Sequence, residues 1–554
     1  MVAMDNLEAN ERLDSDSSVA GATAWRRAFI AVFAVQLLIK LALAVHLPLF
    51  GDEAFYWQES RHLAWGYSDL PGMTAWLVAL GTGLGGHSSL AVRSVFLLLG
   101  ALLPWLVVWF ARRHFGARAG WQAGLLAMGL PLAGSLGLLA LPDVMLTVAS
   151  MLALLALDAA LRSNQWRHWL ALSLSLIMAL ASHYRAGMLL LAGLVFAVAS
   201  SRGRALWRNP RWYVALALGA LGALPALLYN LGHQWVGLAF QTLERNPWSF
   251  HADALRQPLE QAIACTPLLY LLLLWAVLHS LRGMRRGAPW DLVACIGTTF
   301  LLAYFLFGLF ADELRFRVHW PLAGYLPVLA VVPVLARRLW QAGRARLAAR
   351  AALCLAWVLL ALGQVLVLGY LAALTQPPRD APWLRQHALA DTFDGWRQSS
   401  SQLAQLLDQP GHDHDTVVAD NFRLAAQLDF GLAGSRPVYS LGSPLNRKHG
   451  RARQLRDWQL DEDALFARHA GQPVLLAVEE TALREHLRPA WLRNLCSRFA
   501  AIVPLERVDI SQHKRIAFYY ARLRHKPLPA NGSPDACIIW KRAYAAYRSG
   551  LGSL

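Results

Sequence analysis

Long apolar runs, each cut off by a short charged or aromatic segment, recur through the first two thirds of the chain. The first, Ala28–Leu47, follows Arg26-Arg27, and the last covers about 351–373. Each is close to the ~17–25 residues that an α-helix needs to cross a bilayer. The pattern predicts a polytopic α-helical membrane protein with about eleven transmembrane helices. Every even-numbered run ends in arginines: Arg112-Arg113, Arg162 and Arg167, Arg202 to Arg211, Arg282 to Arg286, Arg337-Arg338. Every odd-numbered run ends in a polar, aromatic or acidic segment. Basic loops mark the cytoplasmic side. The alternation therefore puts the N-terminus in the cytoplasm and gathers Asp52, Asp143, His183, Asn230 and Asp312 on the outer side.

From about Gln376 the pattern changes. Strand-like runs Thr416–Ala419, Pro437–Leu441 and Pro473–Val478 alternate with helix-like runs Asn421–Leu432 and Thr481–Leu495. They predict a C-terminal extramembrane α/β domain on the outer, periplasmic side, since it follows an odd number of spans. The predicted organisation is a cytoplasmic N-terminal tail (1–27), a transmembrane domain (28–375) and a periplasmic α/β domain (376–554). Residues 1–24 are polar and predict no ordered structure. Ala42-Leu43-Ala44 could mimic a signal-peptidase site, but the run before it is long for a signal peptide and reads as a retained first helix.

Composition agrees. Of the 554 residues, 56% are hydrophobic and only 16% charged, where soluble proteins carry roughly 25% charged. The net charge of +17 is accounted for by loop arginines. No basic patch with interleaved stacking residues accompanies it, so nucleic acid is not an expected partner. Cys265, Cys295 and Cys354 fall in apolar runs, whereas Cys496 and Cys537 lie outside them and could pair in an oxidising compartment. No Cys/His spacing points to a zinc ribbon.

Candidate chemistry concentrates at the outer face. Gly51-Asp52-Glu53-Ala54-Phe55-Tyr56-Trp57 sets two carboxylates and three aromatics at the end of the first run. Carboxylates so near hydrocarbon usually face a polar cavity; the same segment also reads as an interfacial anchor with its aromatics in the headgroup belt. Asp69, Asp143, His183, Arg185, Asp312, Glu313, Arg315, Arg317 and His319 map to the same side. Acids and bases together suit a reaction that needs a base and an anion cradle. Arg185 beside His183 makes a phosphate site credible, because guanidinium matches phosphate geometry.

Asp52 to Trp57, continued by Ser60 to Met73, resembles the first outer loop of polyprenyl-phosphate-sugar glycosyltransferases of the C-type fold, the class of protein O-mannosyltransferases and lipid A aminoarabinose transferases. Pro142-Asp143 looks like their second acidic motif. Asn230, His233 and Trp235 are similar to their Asn-x-x-His-x-Trp loop, and His319-Trp320-Pro321 resembles the entry to a late helix. Asp420 to Ala426 and Val438 to Gly442 look like the family's extramembrane domain. Leu70 stands where relatives usually carry a basic residue thought to help hold the donor phosphate, with Arg61, Arg185 or Arg317 as substitutes.

The resemblance implies an inverting glycosyltransferase that moves a sugar from a polyprenyl-phosphate donor to a lipid A, glycan or protein acceptor at the outer face of the inner membrane. Asp52 would be the base. Glu53 or Asp143 would orient the acceptor or bind a divalent cation, if one is used. Asp69, His183, Arg185, Asn230, His233, Arg317 and His319 form the expected substrate-binding set. A transporter or flippase, or a non-catalytic assembly protein, are the alternatives. The first would place its site near the midplane, often with internal repeats, and no repeat is visible.

Overall fold

A bilayer offers no water to backbone amides, so apolar runs must satisfy their hydrogen bonds internally as helices. The computed structural model describes residues 2–244, 248–310, 318–341, 346–376, 392–410, 415–483, 485–510 and 514–528. Among these, seven helices are long and apolar enough to cross a membrane, or up to nine if two bent pairs each form one span. The expected eleven runs are all helical. Two of them share one 41-residue helix, Ser89–Gly129, broken at Gly116 where φ is 84°, and another is the 17-residue helix Trp166–Ser182. The first helix is α1 (Val2–His46).

After α1 the chain turns into α2 (Gly51–Arg61), makes a bridge between Gly66 and Pro71, and enters α3 (Met73–Gly85). At 13 residues, α3 is ~20 Å long and too short to cross. The helix α4 (Ser89–Gly129) packs against α1 and α3. Lys40 of α1 donates to the carbonyls of Gly134 (3.0 Å) and Leu136 (2.6 Å), fastening the turn that leads to α5 (Pro142–Ser163).

The two ends of α5 are chemically opposite. Asp143 opens it, and Asp158 near its far end is buried among His114 (3.2 Å), Arg113 (3.9 Å), Arg202 (3.9 Å) and Arg162. Arg202 also reaches Asp291 at 3.1 Å. The loop arginines and the outer-face residues thus sit at opposite ends of one helix, as the charge alternation requires.

The C-terminal part holds a five-stranded sheet: β1 (Thr416–Ala419), β2 (Val438–Ser440), β3 (Pro473–Glu479), β4 (Phe499–Asp509) and β5 (Arg515–Leu523), in the order β2-β1-β3-β5-β4. The first three are parallel and β5 joins antiparallel to both β3 and β4. One face packs on Leu403, Leu424 and Leu428, the other on Trp491, Leu492 and Leu495. The expected helix Thr481–Leu495 begins only at Arg488. Arg488 donates to the Leu483 carbonyl (2.7 Å) and Thr481 accepts from the Arg515 amide (3.0 Å), which holds that segment as turn.

The sheet's carboxyl-terminal edge sits on α2. Helix α6 (Phe422–Gly431), which follows β1, sets Phe422 edge-to-face on Phe55 with ring centroids 5.5 Å apart. Gln58 donates to Asp429 (2.8 Å) and Gln427 to the Leu49 carbonyl (2.8 Å). One apolar cluster joins Phe55, Tyr56 and Trp57 to Ala140 and Val144 on one side and to Phe422 and Leu455 on the other.

Candidate active site

Helix α2 carries its two acids on different faces, and their partners separate them. Glu53 is fully buried against fully buried Arg93, with Oε1 2.8 Å from Nε and Oε2 2.6 Å from Nη2. It also accepts from the amides of Phe50 (2.8 Å) and Ala140 (2.8 Å). Four donors saturate its two oxygens, so Glu53 offers nothing to a substrate. The Glu53 expected in the catalytic set fastens α2 to α4 and to the turn before α5.

Asp52 instead faces the opening, with its side chain 31% exposed and one oxygen 3.7 Å from Arg451. Arg451 opens α7 (Arg451–Asp457) and enters from the C-terminal domain. Its Nη1 lies 2.9 Å from Glu59 and 2.8 Å from Asp69, and its guanidinium lies 4.1 Å from the Phe55 ring centroid. Burial first, and Asp69 next, push the Glu59 carboxyl well above the usual range. Burial would lower Arg451, but Asp69, Tyr56, Glu59 and Asp52 together outweigh it and hold the guanidinium charged.

A second cluster forms across Tyr56. Asp143 pairs with Arg185 and stands 3.7 Å from His319. The Arg185 amide donates to His183 Nδ1 at 3.0 Å, and its guanidinium lies 5.7 Å from the Trp320 ring centroid. Tyr56 interacts electrostatically with Asp52 and Arg451 and with Arg185. The structure thus brings Asp52, Asp69, Asp143, His183, Arg185 and His319 to one wall.

Other predicted residues serve elsewhere. Asn230 donates to Tyr184 (3.0 Å) and Ala226 (2.7 Å) and accepts from the Leu238 amide (2.8 Å); it is a brace. His233 stacks on Tyr229 at 4.0 Å and faces Asp457 of α7 at 3.7 Å, so it meets the C-terminal domain. Arg61 turns to the carbonyl of Gly434 (3.2 Å). Arg317, with Asp312, Glu313 and Arg315, lies outside the described residues. Sequence reasoning missed Arg93, Glu59 and Arg451. The first had a signal, a lone arginine inside an apolar run that demands a buried partner.

An apolar cavity of about 410 Å³ lies deeper, lined by Leu180, Leu189, Leu190, Leu194, Phe196 and Trp212 among others, within the ~300–1,000 Å³ range of ligand pockets. Its Leu180 and Leu189 flank His183 and Arg185 in sequence. Among the described residues, no group of three or more His, Cys, Asp or Glu side chains is arranged to hold a metal ion.

Comparison with known proteins places this geometry in a class. Residues 69–229 match the family model for dolichyl-phosphate-mannose-protein mannosyltransferase. The lipid A galacturonosyltransferase RgtD of Rhizobium johnstonii is 24% identical over 393 residues, 69% of this chain and 77% of that protein. The crystal structure of ArnT from Cupriavidus metallidurans superposes with a TM-score of 0.61 at 15% identity in the apo state. It superposes at 0.60 and 17% when bound to undecaprenyl phosphate, in both cases over 90% of this chain and 98% of that one. The chain is a multi-pass membrane glycosyltransferase of the C-type fold. The transporter alternative is not favoured.

Proposed function

We propose that this glycosyltransferase moves one sugar from a polyprenyl-phosphate carrier to a lipid A, glycan or protein acceptor at the outer face of a bacterial-type inner membrane. The N-terminus would be cytoplasmic and the α/β domain, residues 376–554, periplasmic. The observation that carries the reading is a part-exposed carboxylate, Asp52, on the helix whose Tyr56 packs with Val144, next in sequence to the Asp143 that pairs with Arg185 and faces His319. The apolar cavity lined by Leu180, Leu189 and Phe196 would take isoprenoid, each buried methylene contributing about 0.8 kcal/mol. The lipid A galacturonosyltransferase relative and the undecaprenyl-phosphate-bound ArnT structure favour lipid A as acceptor and undecaprenyl phosphate as carrier.

In this mechanism Asp52 accepts the acceptor hydroxyl's proton as its oxygen attacks the anomeric carbon. The new C–O bond forms on the face opposite the bond that breaks, so the configuration inverts. The electron pair of the broken bond stays on the phosphate oxygen, where Arg185 and His319 receive the charge. Asp143 holds Arg185 in place. Glu53, saturated by Arg93, only aims the helix. A positioned base of this kind contributes about 10²–10⁴-fold. The test is incubation of the purified protein with a polyprenyl phosphate carrying a labelled sugar, together with lipid A. One polyprenyl phosphate should appear per labelled acceptor in wild type and none in Asp52→Asn; movement of intact donor without bond cleavage would favour a flippase.

A further inference from the structure

Arg451 is the residue by which the extramembrane domain enters the site. It lies 382 residues from Asp69 in sequence and 2.8 Å from it in space. The same guanidinium reaches Glu59 at 2.9 Å and Asp52 at 3.7 Å while only 3% of its side chain is exposed. It is held there deliberately: Gly450 adopts φ 72°, and a Cβ at that position would sit 2.9 Å from Phe240. Asp52 begins α2 and Asp69 precedes α3, so one cation fixes the spacing of two separate segments of the active-site wall.

Domain docking has other contacts besides that ion cluster. Ser68 donates to the Gly450 carbonyl (2.6 Å) and to Gln454 (3.0 Å). Tyr229 donates to Asp457 (3.2 Å) and Gln58 to Asp429 (2.8 Å). Buried ion pairs are weak contributors to stability, because desolvation offsets their attraction. The charges of Asp52 and Asp69 would also repel an anionic donor phosphate unless a cation stood among them. Leu70, at the position where the first outer loop resembles that of relatives with a basic residue, supplies none.

We propose that Arg451 is a positioning residue of the glycosyl-transfer centre, through which the extramembrane domain sets the geometry of Asp52 and offsets the charge of Asp52 and Asp69. This rests on the reading of Asp52 as the base. Losing the guanidinium lets Asp52 drift, and a misplacement of ~1 Å costs about 100-fold in rate. Lys, a point charge without the fork, replaces only part of it.

The experiment uses the full-length protein with the labelled donor, comparing Arg451→Met, Arg451→Lys and the double variant Asp69→Asn/Arg451→Met. Arg451→Met should lower kcat about 100-fold and raise donor KM, because the uncompensated acids repel the donor phosphate, and Arg451→Lys should recover part of both losses. The double variant removes one acid together with the cation, so it covers the case in which Arg451→Met does not fold. It should resist proteolysis like wild type and remain slow. A protease-resistant Arg451→Met at wild-type kcat, or a double variant restored to wild-type kcat, overturns the proposal. If Asp52→Asn is itself active, the reading of Asp52 as base falls instead.

Discussion

Asp52 and Glu53 are neighbours with the same functional group and opposite fates. Glu53 spends both oxygens on Arg93 and two amides, whereas Asp52 keeps its carboxylate toward the opening. Breaking a buried pair by removing one partner costs about 3–5 kcal/mol. Glu53→Gln should therefore lower the thermal stability of the purified protein by roughly that amount, an effect of the uncompensated Arg93 charge. An unchanged melting curve would contradict the assignment. That acids cluster at this face was legible from their position at the ends of apolar runs. Which acid is free was not, because the residues that occupy Glu53 lie 40 and 87 positions away. Arg451, at 382 positions from Asp69, sits in an ordinary charged helix with no local sign of its role.

At the scale of elements, the parallel strands β1 to β3 and the helix after β1 were legible from short β-branched runs alternating with helical ones. The β4–β5 hairpin was not singled out, because β4 is mostly exposed and carries Pro504 and charges. Nor was the chain reversal at the carboxyl ends of β1 and β3, where Asp420 is buried and accepts from Asn421 (2.8 Å) and the Glu479 amide (3.1 Å). Burial, then Glu479, pushes its carboxyl up to about 7. The folded value lies above the unfolded one of about 3.9. The fold therefore favours the protonated form, and stability falls as pH rises from about 4 to about 7. A single group contributes at most about 1.4 kcal/mol per pH unit. Glu479 acts oppositely: Arg423 and Lys514 outweigh burial and hold it low, so its contribution is lost as pH falls. Asp420→Asn should flatten the first trend, read as thermal unfolding of the full-length protein across that window. An unchanged slope would remove Asp420 from the account.

At the scale of the molecule, Asp143 and the Asp158 cluster lie at opposite ends of one helix, the separation that the alternating arginine loops predict. The helix count was less direct, since Gly116 folds two apolar runs into one interrupted helix. Sidedness predicts that an alkaline phosphatase fused at Leu554 is active, because only an exported reporter folds with its disulfides. An inactive fusion of normal abundance would invert the topology. The oxidising side also fits Cys496, which is disulfide-bonded; Cys537 lies outside the described residues.

Sugar transfer at the Asp52 wall is the central claim, and conversion of a labelled polyprenyl-phosphate sugar by wild type and Asp52→Asn tests it most directly. Wild type should release polyprenyl phosphate and label the acceptor, while Asp52→Asn, equally folded and inserted, should lose at least about 100-fold of that rate. An Asp52→Asn protein that transfers sugar at the wild-type rate would contradict the account.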